Sequence, residues 1–170
     1  MLQYNGDYED RMPPYFGSGY YFPETNKTCS DNAWWWFKEL LLPNIKSDKV
    51  FNCPADQGFG SVSKACTTEL YDNNSYVYNC VYLGPNIAGM KIGQIRQPTM
   101  TITVGEWGIH NPFSWHYQPS KEVVNNARVN IVFVDGHVNF TAMYYGGSSC
   151  FMKNPPDGYS YAWNAASDLK

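Results

Sequence analysis

The chain has 170 residues and a formal net charge of −3, and its charged residues make up only 16%, against roughly 25% in an average soluble domain. That length supports one domain with its own core, far above the ~40 residues below which staples become necessary. The absence of a Lys/Arg cluster excludes a nucleic-acid binder, and no apolar run reaches the ~18 to 20 residues of a membrane span. Aromatic residues at 17%, with 14 Tyr and 6 Trp, leave Tyr, Asn, Ser and Thr to carry the polar surface, a style common outside the cell.

In chain order, Met1-Leu2 leads straight into QYNGDYEDRMPPY without a polar leader, as expected if a longer segment had been cut away and a start Met added. Residues 2–12 read as the last turns of a helix stopped by Pro13-Pro14, because the residue before a proline is pushed out of the α region. Tyr15 to Thr28, with Gly17, Gly19 and Pro23, reads as an irregular loop. Ser30-Asp31-Asn32 supplies N-caps for AWWWFKELLL, which predicts a helix over 32–42 ending at Pro43. Ala33, Trp36, Phe37, Leu40 and Leu41 share one broad face, expected against a sheet, with Trp34 or Trp35 near its rim.

Residues 50–56 (VFNCPAD) read as a short extended piece ending in a turn, and 57–74 as loop. Ser75 to Leu83 is β-branched and aromatic enough for a strand, with Tyr76, Tyr78, Cys80 and Tyr82 on one face. Met90 to Arg96 predicts a helical turn placing Ile92 and Ile95 against the core. Thr101 to Trp107 (TITVGEW) reads as a central strand whose exposed face is hard to identify. After a loop over 108–126, RVNIVFVDGHVNFTAMYY (128–145) is a β-hairpin, and Asp135-Gly136 predicts a two-residue type I′ turn. Gly146 to Lys170 lacks periodicity and reads as a C-terminal extension wrapped over the sheet. A single domain over 1–170 results, α+β in class, with a helix packed on an antiparallel β-sheet and long aromatic-rich loops.

Five cysteines, Cys29, Cys53, Cys66, Cys80 and Cys150, include no C-x-x-C pair, which disfavours a zinc ribbon or a thioredoxin-like motif. Two disulfides plus one thiol suit an extracytoplasmic chain, Cys53 with Cys66 closing the shortest plausible loop; five buried thiols are the alternative. His110, His116, His137, Asp135 and Glu106 are residue types that suit zinc or iron, but the histidines lack helical i, i+4 spacing, and the turn and following strand already account for Asp135 and His137. Nucleophilic catalysis lacks a Gly-x-Ser-x-Gly elbow, and Cys53 before Pro54 has no local partner, leaving a histidine met in space. No catalytic, cofactor-binding or metal-binding residue is therefore assigned, and the chain is expected not to be an enzyme.

The blocks QYNGDYEDRMPPY, WWWFKELLLPNI, VFNCPAD, SYVYN, IGQIRQPTMTITVGEW and ARVNIVFVDGHVNF, in that order over residues 2–142, resemble the globular part of prepilin-like, type II secretion pseudopilin-related bacterial proteins. Asp-Gly-His-Val is the most specific of them. The resemblance implies a pilin-like fold and an N-terminal apolar helix, of which residues 1–12 would be the remnant. That helix would anchor the subunit in the inner membrane and then in a filament, with the head in the periplasm or at the cell surface. Its implied partners are other pseudopilin subunits and the secretion machinery. Some major pseudopilins bind calcium, but no matching acidic cluster stands here. One branch carries a His nine residues before Asp-Gly; here Asn125 stands ten positions before Asp135 and His116 nineteen before, so no role tied to that spacing is transferred. The alternative function is an extracellular carbohydrate-binding module, stacking glycans on exposed Trp and Tyr. An upstream type III signal would favour the filament subunit, and an ordinary signal peptide the module.

Overall fold

The structure, a computed structural model, describes residues 6–14, 21–22, 27–28, 36–45, 47–55, 75–79, 87–106, 116, 127–147 and 152–162. Four strands, β3 (Tyr76–Tyr78), β4 (Ile102–Glu106), β5 (Arg128–Phe133) and β6 (Val138–Ala142), form an antiparallel meander in the order β3-β4-β5-β6. A separate two-stranded ribbon pairs β1 (Tyr21–Phe22) with β2 (Lys27–Thr28), so the stretch read as irregular loop contains a hairpin. Helix is sparse among the described residues, which makes the described part mixed in class and dominated by the sheet.

The sheet follows from alternation. Val129, Ile131 and Phe133 are fully buried on one face of β5, with Ile102, Met143, Tyr145, Met152 and Tyr161. Asn130 and Val132, half-buried, point the other way, and beyond that face Phe37, Leu41, Phe51, Tyr78 and Val134 form a second cluster against which Val104 packs. Residues Ile102 and Val104 have the same parity yet serve opposite clusters. The register explains this: Ile102 pairs with Phe133 but Val104 with Val132, so Thr103 is one residue too many and the strand bulges there. Asn79 holds the irregularity in place, its backbone N–H donating to the Thr103 carbonyl at 2.8 Å and its side-chain amide to that of Ile102 at 2.8 Å.

The hairpin forms where expected, but its turn differs. Val134 and Asp135 keep negative φ and only Gly136, at φ 90°, is left-handed, while Gly136 N donates to Phe133 O at 2.9 Å and Phe133 N to His137 O at 2.9 Å. This is a three-residue loop, a type I turn followed by a left-handed glycine, instead of a type I′ turn. The physical reason is local. Asp135 Oδ1 accepts from the His137 amide at 3.1 Å and meets the ring Nδ1 at 2.6 Å, an Asx-type turn that leaves glycine alone to supply the positive φ.

The helix expected over 32–42 is described as α1 (Trp36–Leu41), followed by a 3-10 turn, Leu42–Asn44, that carries the backbone through Pro43. Proline stops the α-helical bonding but is tolerated at the start of the next turn, where its missing N–H is not needed. Phe37 and Leu41 are buried and Leu40 is half-buried, as the predicted face requires, and the Phe37 ring stacks on Tyr78 at 5.5 Å. Lys38 is also fully buried. Residues 50–51 are not extended but end a second 3-10 turn, Asp48–Phe51, capped by the Ser47 hydroxyl accepting from Lys49 N. A third, Ile92–Gln94, realises the turn expected over 90–96, burying Ile95 and half-burying Ile92.

At the N-terminal end Gly6 and Asp7 are helical, and Glu9 and Asp10, both at φ 56°, end the helix well before the prolines. Residues 152–162 lie over the sheet: Lys153 N donates to Tyr144 O, and the buried Tyr161 hydroxyl accepts from Tyr144 N at 2.9 Å. The expectations for residues 32–35, 57–74, 80–86 and 107–115, including Trp34, Trp35, Trp115 and His110, lie outside the described residues, as do Trp163 and the cysteines at 29, 66, 80 and 150.

Candidate functional site

The bulge at Thr103 decides where the last residue of β4 points. With Val104 opposite Val132 and Gly105 opposite Ile131, Glu106 comes opposite Asn130, and Asn130 in turn pairs with Phe140. Tyr76 pairs with Glu106 from the other side, so one row runs across all four strands: Tyr76, Glu106, Asn130, Phe140. Asn130 grips the Glu106 carboxylate from its side chain, Nδ2 to Oε1 at 2.7 Å, and from its backbone, N to Oε2 at 3.2 Å. Glu106 itself is 0% exposed.

Two residues from distant parts of the sequence close over this carboxylate. His116 Nε2 stands 2.8 Å from Glu106 Oε1, and the same nitrogen is 3.4 Å from Cys53 Sγ. The imidazole meets the Phe140 ring edge-on at 6.4 Å, and its side chain is 34% exposed. Cys53 is a buried free thiol, which corrects the expected Cys53–Cys66 disulfide. Its position is fixed from the strand side: Cys53 N donates to Ser75 Oγ at 2.8 Å, and Ser75 N to Phe51 O at 2.9 Å, where the chain enters β3. One ligand atom each from Cys53, Glu106 and His116 therefore lies within 4.8 Å of the others.

The shared nitrogen limits what this cluster does chemically. A thiol–imidazole–carboxylate relay uses both ring nitrogens, one facing the nucleophile and the other held by the acid. Here thiol and carboxylate meet the same Nε2, which carries at most one proton and cannot donate to Glu106 while accepting from Cys53. The geometry is that of three donor atoms converging on a point.

Of the residues considered for metal from sequence, Glu106 and His116 are brought together. Asp135 and His137 form a separate pair at the hairpin tip, where the His137 ring also lies flat on Phe133 at 4.3 Å. Desolvation is the largest single effect on the Asp135 carboxyl and raises it, but the His137 ring and amide hydrogen bonds and the ring's charge together outweigh it and hold the group below its ordinary value. Cys53 is the member that spacing did not show, since its partners lie more than fifty residues away. Elsewhere, a cleft of about 460 Å³ runs along β6 against residues 157–160, with Arg128 and Asp157 among its lining residues.

No family model matches the chain, and neither curated proteins nor solved structures give a match.

Proposed function

We propose that the chain is the head of a structural, non-catalytic subunit of a type II secretion pseudopilus or a type IV pilus-like filament, with a pilin-like fold. The observation that carries this is how the chain enters the domain. A helix ends at Asp7, the backbone turns through Glu9 and Asp10, and residues 11–13 are then laced to 87–92: Arg11 bridges Lys91, Met12 N donates to Met90 O at 2.9 Å, and Gly89 N to Met12 O at 3.2 Å. The Tyr78 hydroxyl donates to Pro13 O at 3.1 Å, fixing the entry to β3. Residues 6–11 are exposed, so a helix preceding them would leave the head at this rim, free to join a bundle.

In that arrangement an apolar N-terminal helix, held in the inner membrane before assembly, buries its surface against the same helix of neighbouring subunits at roughly 25 cal/mol per Å². A head-to-tail contact that does not close on itself gives a filament. The partners are other pseudopilin subunits and the secretion machinery, on the extracytoplasmic side of the inner membrane. No helix among the described residues is long and apolar enough to cross a membrane, and the spanning element in this proposal lies upstream of Gly6.

Immunogold microscopy and mass spectrometry of filaments sheared from the source bacterium, producing the full-length protein, test the assignment. The chain is expected along the filaments, and to be lost from them when the sequence before Gly6 is replaced by an ordinary secretion signal. Recovery solely as a freely diffusing extracytoplasmic monomer in both strains would overturn it.

A further inference from the structure

We propose that Cys53, Glu106 and His116 form a binding site for a transition-metal ion, with zinc the best chemical match. The proposal is independent of the filament assignment. It starts from the convergence on one nitrogen: Sγ 3.4 Å and Oε1 2.8 Å from His116 Nε2. Zn–S and Zn–N bonds of ~2.3 and ~2.0 Å at a tetrahedral angle set sulfur and nitrogen about 3.5 Å apart, so the thiol and imidazole already stand at ligand spacing. The carboxylate needs only a small retreat from the ring.

The donor set decides the metal class. Thiolate sulfur is soft and disfavours calcium and magnesium, while sulfur, imidazole and carboxylate together suit zinc. On binding, Cys53 gives up its thiol proton to solvent, Glu106 contributes one carboxylate oxygen, and His116 gives the Nε2 lone pair with its proton on Nδ1. Outer contacts that orient ligands are already in place: Asn130 on both oxygens of Glu106, and Ser75 on the backbone of Cys53. His116, one-third exposed, leaves a fourth position toward solvent for water. The ion would pin residues 53, 106 and 116 together, closing two loops of the chain at once.

The test uses the purified full chain, stripped with chelator and titrated with cobalt(II) and zinc(II). Expected are one ion per chain, a thiolate-to-cobalt charge-transfer band with the strong visible bands of tetrahedral cobalt, and a higher Tm with zinc. Cys53→Ser abolishes the sulfur band. His116→Ala, at the exposed ligand, weakens binding by more than the roughly 10–100-fold expected for Asn130→Ala. His137→Ala, at the separate hairpin pair, leaves affinity unchanged. Circular dichroism of the metal-free variants confirms folding, and His116→Ala reads the site if Cys53→Ser fails to fold. Absence of stoichiometric binding, or cobalt bands that persist in both Cys53→Ser and His116→Ala, overturns the proposal.

Discussion

Lys38 is a polar residue placed where the helix pattern leads to apolar contact, and replacing it with methionine tests what its burial costs. The side chain is 0% exposed, with Nζ 5.3 Å from the Phe51 ring centroid and 5.6 Å from that of Phe37. Such rings attract a cation by up to about 2 kcal/mol, but desolvation is larger and lowers the amine from 10.5 to about 6. At pH 7 the folded chain therefore holds Lys38 neutral while the unfolded chain holds it charged. Each pH unit between the two values corresponds to ~1.4 kcal/mol, so neutralising the amine at pH 7 costs on the order of 5 kcal/mol. The sign is fixed: because the folded value is the lower one, stability is greatest above about 10.5, falls as pH falls, and levels off below about 6. Methionine matches the length of the stem and has nothing to deprotonate. Urea unfolding of both proteins between pH 5 and 9 should show the native chain gaining stability relative to Lys38→Met as pH rises. The buried tyrosines, with Tyr161 pushed up to about 12 mainly by burial, titrate alike in both proteins and cancel in the difference. A stability difference that stays constant from pH 6 to 9 refutes the reasoning.

The hairpin tip gives two further outcomes. Gly136 at φ 90° is the residue that lets the three-residue loop close, so Gly136→Ala is expected to lower stability by about 1 kcal/mol or more, read as a shift in urea midpoint without a change in slope. The Asp135 carboxyl lies below its ordinary value because of His137, so the tip is firmest above the ordinary carboxylate value and loosens as pH falls through the lowered one. NMR titration of the Asp135 side-chain carbonyl should show its midpoint rising in His137→Ala, and an unchanged midpoint removes His137 as the cause.

Much of the sheet was legible because its apolar alternation is strong. The alternation of Val129, Ile131 and Phe133 with Asn130, Val132 and Val134 marked a strand, and Asp-Gly between two strand-forming runs announced a reversal. The turn type was not legible, since the decisive contact is the Asp135 side chain closing on the amide two residues on, and the pair Asp-Gly serves both kinds of loop. The helix face was readable from Phe37, Leu40 and Leu41, but Lys38 was not: a helix lying under Phe51 and Tyr78 is covered more widely than its own pattern states. Cys53, Glu106 and His116 come from separate segments, and no local signal pairs them.

The strand TITVGEW hid its faces for a physical reason that also places the site. Regular pairing continued from Ile102 opposite Phe133 would bring Glu106 opposite Val129, inside the apolar cluster of Ile131 and Met143, where a carboxylate finds no donor. Insertion of Thr103 shifts the register by one residue, so every later side chain on β4 changes face. Ile102 stays in the first cluster, Val104 joins the second, and Glu106 arrives beside the amide of Asn130. The extra residue leaves Thr103 Oγ1 and Asn79 Oδ1 buried without a hydrogen-bond partner, a local cost of one to a few kcal/mol each. What that cost secures is a buried carboxylate held by Asn130 and met by an imidazole and a thiol. The same single-residue shift thus accounts for the unreadable pattern, the unsatisfied pair and the convergence of Cys53, Glu106 and His116.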